Sequence, residues 1–297
     1  MNRKDFGELV AALRQDLGWT QFQLAEYADL DDAVISQIER GVKRYFDPHL
    51  LFCLANAFQL TTLERREFIF AASGLDEKQI VRQPSEGMAT DVFDERRILE
   101  RMIKLTGEIR LPAFICDVYS DVIAANYIMI AFYDVPPEMM EDAAKIPGGY
   151  NTTRLNFGRN MLARTQVTDN WDTYALNSMR TFRENSLRYR AHPYFKYLMK
   201  IFRNPVEFPF FDRFWKLVSS MEQDRDVTVD HMQYQHNKFD AINYIASTSS
   251  VVTSFGNLFL VQNLPLDEYT EEVFTKLKLT AGLGVARFAP WPEKIMV

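Results

Sequence analysis

Between Asp5 and Leu17 the apolar residues Phe6, Leu9, Val10, Leu13 and Leu17 recur at steps of three and four. That period predicts an amphipathic helix, which Gly18 ends. Thr20 then caps a second, short helix over Gln21 to Ala28, with Leu24 and Ala25 facing inward. After the turn Asp29-Leu30-Asp31, either Asp31 or Asp32 caps a third helix that runs through Arg40 on the apolar positions Val34, Ile35 and Ile38, and Gly41 stops it. A fourth helix from His49 to Phe58 and a fifth from Leu63 to Ala72, closed by Ser73-Gly74, complete a five-helix bundle.

The pattern changes beyond Gly74. Residues 76–92 are polar, with Pro84, Ser85 and Gly87 together, and read as a linker. A helix follows from Val92 to about Gly107. Ala113 to Asp117 reads as a strand, Val118 to Asp121 as a turn, and Val122 to Ala125 as a second strand running into a short helix from Asn126 to Phe132. Residues 151–220 are helical in spacing. The chain then returns to strands at Val227 to Tyr234, Phe239 to Ser247 and Asn257 to Asn263. No internal repeat is visible. These elements predict an α+β protein: an all-α domain over 1–75, the linker over 76–92, and an α+β domain with inserted helices over 93–297.

Composition narrows the function. Two domains suit 297 residues. Met1-Asn2-Arg3-Lys4-Asp5 leads straight into an amphipathic stretch, so no secretory signal is expected. The longest apolar runs fall far short of the ~20 residues that span a bilayer. Cys53 and Cys116 lie in apolar company without CxxC spacing and are expected as free thiols in a reducing, cytoplasmic setting. There is no HExxH pair, no GxSxG elbow and no phosphate-binding glycine loop, so neither catalysis nor a metal is expected. The net charge of −6 does not advertise nucleic acid, and residues 1–75 carry eight basic side chains against eleven acidic ones. Any contact with DNA must therefore rest on where the positive charges sit.

Their placement is telling. A helix of about nine residues fits the major groove and reads base edges from its first turn and exposed face. With Val34, Ile35 and Ile38 inward, that face carries Asp32, Ala33, Ser36 and Gln37. Gln37 suits a two-pronged contact with adenine. Gln21 opens the second helix, where a phosphate is readily held. Arg40, Lys43 and Arg44 follow the reading helix and suit backbone phosphates, with Arg14 a further candidate. Thr20-Gln21-x-x-Leu24-Ala25, the spacing to Val34-Ile35-Ser36 and the ending Gln37-Ile38-Glu39-Arg40-Gly41 resemble the Xre/Cro-type helix-turn-helix family, which includes phage lambda repressor. The resemblance covers residues 6–74 and implies a DNA-binding transcription regulator, expected to pair as a homodimer over two half-sites. Asp29, Asp31 and Asp32 depart from the family's small or hydroxylated residues. A carboxylate there repels phosphate unless it caps the helix or accepts from cytosine.

The second domain has its own signature. Leu111-Pro112-Ala113, Asp121-Val122-x-x-x-Asn126, Asn151-x-x-Arg154-Leu155-Asn156-Phe157, Asn170-Trp171-Asp172 and the segment from Pro209 to Trp215 occur in order. They resemble the ligand-binding domain of MmyB-like regulators, which implies a PAS-like core and a lipid-like ligand such as a fatty acid. Independently, Phe195, Tyr197, Leu198, Phe202, Phe208, Phe210, Phe211, Phe214 and Trp215 concentrate within about twenty residues, which suits either a cavity wall or plain core. The expected lining is Phe114, Trp171, Met179, Phe182, Phe210, Phe214, Trp215 and Tyr244. Arg154, Arg180 or Arg183 would fork onto a carboxylate, and Arg154 counts among the expected ligand contacts. No cofactor is expected beyond a bound fatty acid. The alternatives are an aromatic groove that docks another protein, and a PAS sensor holding flavin or haem.

Overall fold

The computed structural model describes residues 1–74, 95–159, 167, 171–220 and 231–294. The expected linker over 76–92 lies outside the described residues, as do 160–166 and 168–170 of the expected helical stretch and the first residues of the strand expected from Val227. The chain divides into two compact units.

The first unit holds the N-terminal bundle: α1 (Arg3–Asp16), α2 (Gln21–Ala28), α3 (Asp32–Glu39), α4 (Pro48–Ala57) and α5 (Thr62–Ser73). Each start follows from a side-chain cap. Thr20 and Thr61 form reciprocal capping boxes with Gln23 and Glu64, and Asp47 caps α4 ahead of Pro48. Asp31, not Asp32, caps α3, accepting from the Ala33 amide at 2.9 Å. Gly7 lets α1 cross α3 closely: a Cβ there would stand 2.3 Å from the Ile38 carbonyl oxygen. Gly41 turns the chain with φ +69° against the Lys4 backbone. The core is continuous, from Phe6, Leu9 and Val10 through Leu24, Ile35 and Ile38 to Leu54 and Phe68. Residues 183–199 and, among the described residues, Trp215 to Ser220 belong to this unit as well, and Leu187 sits fully buried in its core.

The second unit contains an antiparallel six-stranded sheet of order β3-β4-β5-β1-β2-β6. In chain order its elements are α6 (Glu95–Glu108), β1 (Ala113–Cys116), β2 (Val122–Asn126), α7 (Tyr127–Tyr133), α8 (Pro137–Ala144), α9 (Thr152–Phe157), β3 (His231–Gln235), β4 (Ala241–Val251), β5 (Leu258–Pro265), α13 (Glu268–Ala281) and β6 (Val285–Arg287). Three helices carry residues assigned to both units: α10 (Trp171–Ser186), α11 (Pro193–Phe202) and α12 (Phe211–Ser220), with a 3-10 turn at Leu187–Tyr189.

Alternation along the strands gives the sheet two apolar faces. Ile115, Ala124 and Leu258 pack with Leu99 and Ile103 of α6, while Phe114, Ala125, Tyr234 and Tyr244 pack with α7 and with Val273, Phe274 and Leu277 of α13. The expected hairpin at 113–125 forms, with Phe114 opposite Ala125. Two elements were not expected. α13 is capped by Asp267, and its inward Val273, Phe274 and Leu277 keep helical spacing beyond the last strand expected, which ended at Asn263. β6 is only three residues long and exists through pairing with β2. β4 also runs on to Val251 beyond the predicted Ser247, because its ladder with β5 continues there.

Candidate functional site

The third helix presents one face to solvent. Ile35 and Ile38 are fully buried, so its opposite face is left to solvent, with Asp32, Ala33, Gln37 and Arg40 exposed and Ser36 half-buried. Arg40 bends back, donating from Nε to the Ser36 carbonyl oxygen at 3.2 Å, which holds it at the helix end. Lys43 is half-buried and Arg44 exposed just beyond. Apart from Gln21, which opens α2, the expected DNA residues thus lie together on one short helix and its exit.

What fixes this helix is a polar clasp that sequence reasoning missed. Arg14 on α1 forks onto Glu39 at the end of α3, with Nε to Oε1 at 2.6 Å and the second nitrogen to Oε2 at 3.0 Å. A third Arg14 nitrogen donates to the Trp19 carbonyl at 2.6 Å. The hydrogen bond to Glu39 holds the Arg14 guanidinium above its ordinary pKa. Gln21 joins the clasp, donating its amide to Glu39 at 2.8 Å, so this side chain positions α2 against α3 besides standing at the opening of α2. The clasp joins residues 18 and 25 positions apart. No local pattern reveals such a contact.

In the second unit the motif residues are fasteners. The Asn126 amide oxygen accepts from the Ala113 and Met129 amides at 3.1 and 2.9 Å, and its nitrogen donates to the Leu111 carbonyl at 2.8 Å. Asn151 caps α9 through the Thr153 amide and donates to the Asp121 carboxylate at 2.8 Å. Lys294 lies between Asp117 and Asp121. Burial, helped by the charge of Asp121, pushes the Asp117 carboxyl up to about 6 even so.

The expected lining residues divide into two groups. Phe114, Trp171 and Tyr244 meet in the apolar cluster under α7 and α13, together with Phe132, Tyr133, Tyr174 and Tyr234. Trp171 continues to Phe157 at 6.3 Å between ring centroids, and Phe157 to Phe214 at 5.8 Å. Met179, Phe182 and Phe214 are closed core, Phe182 meeting Phe202 and Phe211 edge-on, and Phe210 is half-buried. The aromatic concentration from Phe202 to Phe214 therefore packs largely on itself. Arg154, on the same helix as Phe157, holds its guanidinium 5.4 Å from the centre of the Phe208 ring.

Two residues lie elsewhere than expected. Trp215 belongs to the first unit, where its indole nitrogen donates to Asp16 at 3.0 Å. Arg183 is committed to Glu64 and to the Trp215 carbonyl oxygen, which rules it out as the carboxylate anchor. Conversely, the tyrosines at 133, 174 and 234 were missed. Burial raises the pKa of all three, and Tyr174 donates to Asn156 at 2.7 Å, so the cluster is apolar with hydroxyl tips.

Residues 10–65 match the helix-turn-helix family. Residues 96–277, well over half of the chain, match the MmyB-like transcription regulator ligand binding domain. The chain belongs to the MmyB-like transcription regulators. No curated protein matches it. A helix-turn-helix thus stands ahead of an α+β ligand-binding domain in this chain, and the exposed face of α3 is the regulator's candidate DNA reader. Among the described residues no helix is long and apolar enough to cross a membrane.

Proposed function

We propose that this MmyB-like regulator reads DNA with α3 and changes its affinity when a fatty acid or similar apolar small molecule enters the second unit. The observation that carries this reading is the exposed row Asp32, Ala33, Gln37 and Arg40 on a helix whose other face is closed core, ahead of a ligand-binding domain. Gln37 and Ser36 contact base edges. Arg40, Lys43 and Arg44 contact phosphates, and the opening turn of α2, with Gln21, approaches one more. Two copies bind two half-sites about one helical turn apart.

The ligand's chain lies along Phe114, Trp171 and Tyr244 toward Phe214, in a PAS-like domain. The half-buried state of Phe114, Trp171, Tyr133 and Tyr174 supports this, since it marks where the cluster is least closed. Arg154 takes the carboxylate: its helix also carries Phe157, whose ring touches both Trp171 and Phe214. Each buried CH₂ contributes about 0.8 kcal/mol, so a chain of about a dozen carbons binds with a single polar contact. The test is a thermal-shift titration with dodecanoate, which raises the melting temperature of a binder by mass action. No shift with any fatty acid from eight to eighteen carbons, on the order of the chain lengths a protein core holds, removes the fatty acid from the proposal.

A further inference from the structure

The stretch that matches the ligand-binding family contributes structure to the DNA-binding unit. Residues 183–199 lie within the matched span yet belong to the first unit, and Leu187 is fully buried among Leu9, Leu13, Leu54 and Phe68. Beside it Glu64 of α5 is fully buried and receives both Arg183, in a fork of two 3.1 Å bonds, and Arg190. Burial pushes the Glu64 carboxyl up, and the charges of Arg190 and Arg183 outweigh it and hold the group ionised. Thr61, the cap of α5, donates to Glu184 at 2.8 Å, and Arg188 stands 5.3 Å from the Phe70 ring. Both guanidiniums stand against the Trp215 ring, Arg183 at 5.0 Å and Arg190 at 5.1 Å from its centre, and the indole nitrogen reaches Asp16 at the end of α1. Two residues earlier on α1, Arg14 clasps Glu39 of the reading helix.

A buried ion cluster resists sliding, because any slide separates a charge from its partner. It therefore moves as one piece with whatever is bonded to it. Arg183 is also the residue directly after Phe182 in α10, an unbroken helix from Trp171 to Ser186 whose earlier turns bury Ala175, Met179 and Phe182. A helix delivers a shift or rotation along its length with little loss.

We infer that the Arg183–Glu64–Arg190 cluster is the regulator's transmission joint, through which a displacement of the apolar face of α10 reaches α5, α1 and then the Arg14–Glu39 clasp of the reading helix. Glu64, Arg183 and Arg190 are positioning residues in this account, and it rests on the reading of the second unit as the sensor.

The test is a double-mutant cycle on the full chain that uses no ligand. A duplex is selected from a random library with the parent protein, and its affinity is measured for the parent, Met179→Ala, Glu64→Gln and the double variant. Met179→Ala is expected to change affinity by about fivefold or more, the lower end of ordinary allosteric coupling. In the Glu64→Gln background the same substitution is expected to change it less than about twofold. Equal changes in both backgrounds overturn the inference, as does a folded Met179→Ala protein with parental affinity. Should Glu64→Gln fail to fold, the triple change Glu64→Met, Arg183→Met, Arg190→Met removes the charges together while keeping volume and runs through the same arms. Hydrogen exchange over residues 61–73 reads the cycle without DNA: Met179→Ala speeds it in the parent background and leaves it unchanged in the Glu64→Gln one. A chain that binds no fatty acid thus refutes the ligand proposal while leaving this test standing.

Discussion

Leu187→Ala probes the composition of the DNA-binding unit more sharply than any change within the helix-turn-helix itself. Leu187 lies more than a hundred residues beyond α5 in sequence, yet it is fully buried in the core that holds Leu9, Ile35, Leu54 and Phe68. Truncation removes three carbons from a closed site, and such changes cost about 2.7–5 kcal/mol according to how far the surroundings collapse. Collapse is restricted here, because Glu64 and the arginines at 183 and 190 are fixed by charged hydrogen bonds in the same unit. The expected loss is therefore about 3–4 kcal/mol, or roughly 5–6 °C in melting temperature at about 2.1 cal/mol/K of unfolding entropy per residue. Chemical denaturation followed by circular dichroism measures the loss, and hydrogen exchange locates it. Exchange is expected to accelerate in α1, α3 and α5. Lys196→Ala, exposed on α11 in the same segment, is the control and should stay within about 0.5 kcal/mol. A loss below about 1 kcal/mol, or one that spares residues 1–74, refutes the assignment of 183–199 to this unit.

Four further outcomes are expected. Gln37→Ala should lose about 1–3 kcal/mol of discrimination at one base pair, whereas Arg40→Ala should weaken all duplexes alike and flatten the salt dependence; parental behaviour of both removes α3 as reader. Asp32→Asn should strengthen non-specific binding at low salt without loss of fold, because the cap is Asp31; unchanged affinity shows that Asp32 points away from DNA. Arg154→Gln should weaken dodecanoate by about tenfold or more and leave dodecanol untouched, since only the acid accepts a charged fork; equal loss of both means the side chain is packing alone. Asp117 has a folded pKa of about 6 against an ordinary 3.8, so the folded state binds the extra proton between those values. Its contribution to stability is greatest below that window and is lost as pH rises through it, and Asp117→Asn should remove this slope in urea melts; a parental slope in the variant rejects the assignment.

Legibility from sequence followed the range of the interaction. Two helix starts and one helix end in the first unit were readable because their causes are local: Thr20 and Asp31 cap within three residues, and Gly41 turns the chain at once. The hairpin at 113–125 was readable for the same reason. The order β3-β4-β5-β1-β2-β6 was not, because β1 pairs with β5 across more than a hundred residues. The reading face of α3 emerged from periodicity, but its Arg14–Glu39–Gln21 clasp did not. Trp215 and Arg183 were misplaced because an aromatic-rich stretch with arginines has one composition for a ligand wall and for a buried ion cluster. α13 was overlooked although Asp267, Val273, Phe274 and Leu277 spell a capped amphipathic helix, because short apolar runs nearby had been read as strands. The tyrosine tips of the sensor cluster come from α7, α10 and β3, and only the fold assembles them.

The central claim is ligand-responsive, sequence-specific DNA binding, and fluorescence anisotropy of a selected duplex tests it directly. The full chain is titrated against a labelled duplex enriched from a random library and against a scrambled one, each with and without saturating dodecanoate. The selected duplex is expected to bind at least about a thousandfold tighter than the scrambled one, to contain two half-sites about 10 base pairs apart, and to change affinity about fivefold or more with dodecanoate. Equal affinity for the two duplexes contradicts DNA recognition by α3, and a selected duplex indifferent to a dodecanoate that demonstrably binds contradicts the coupling.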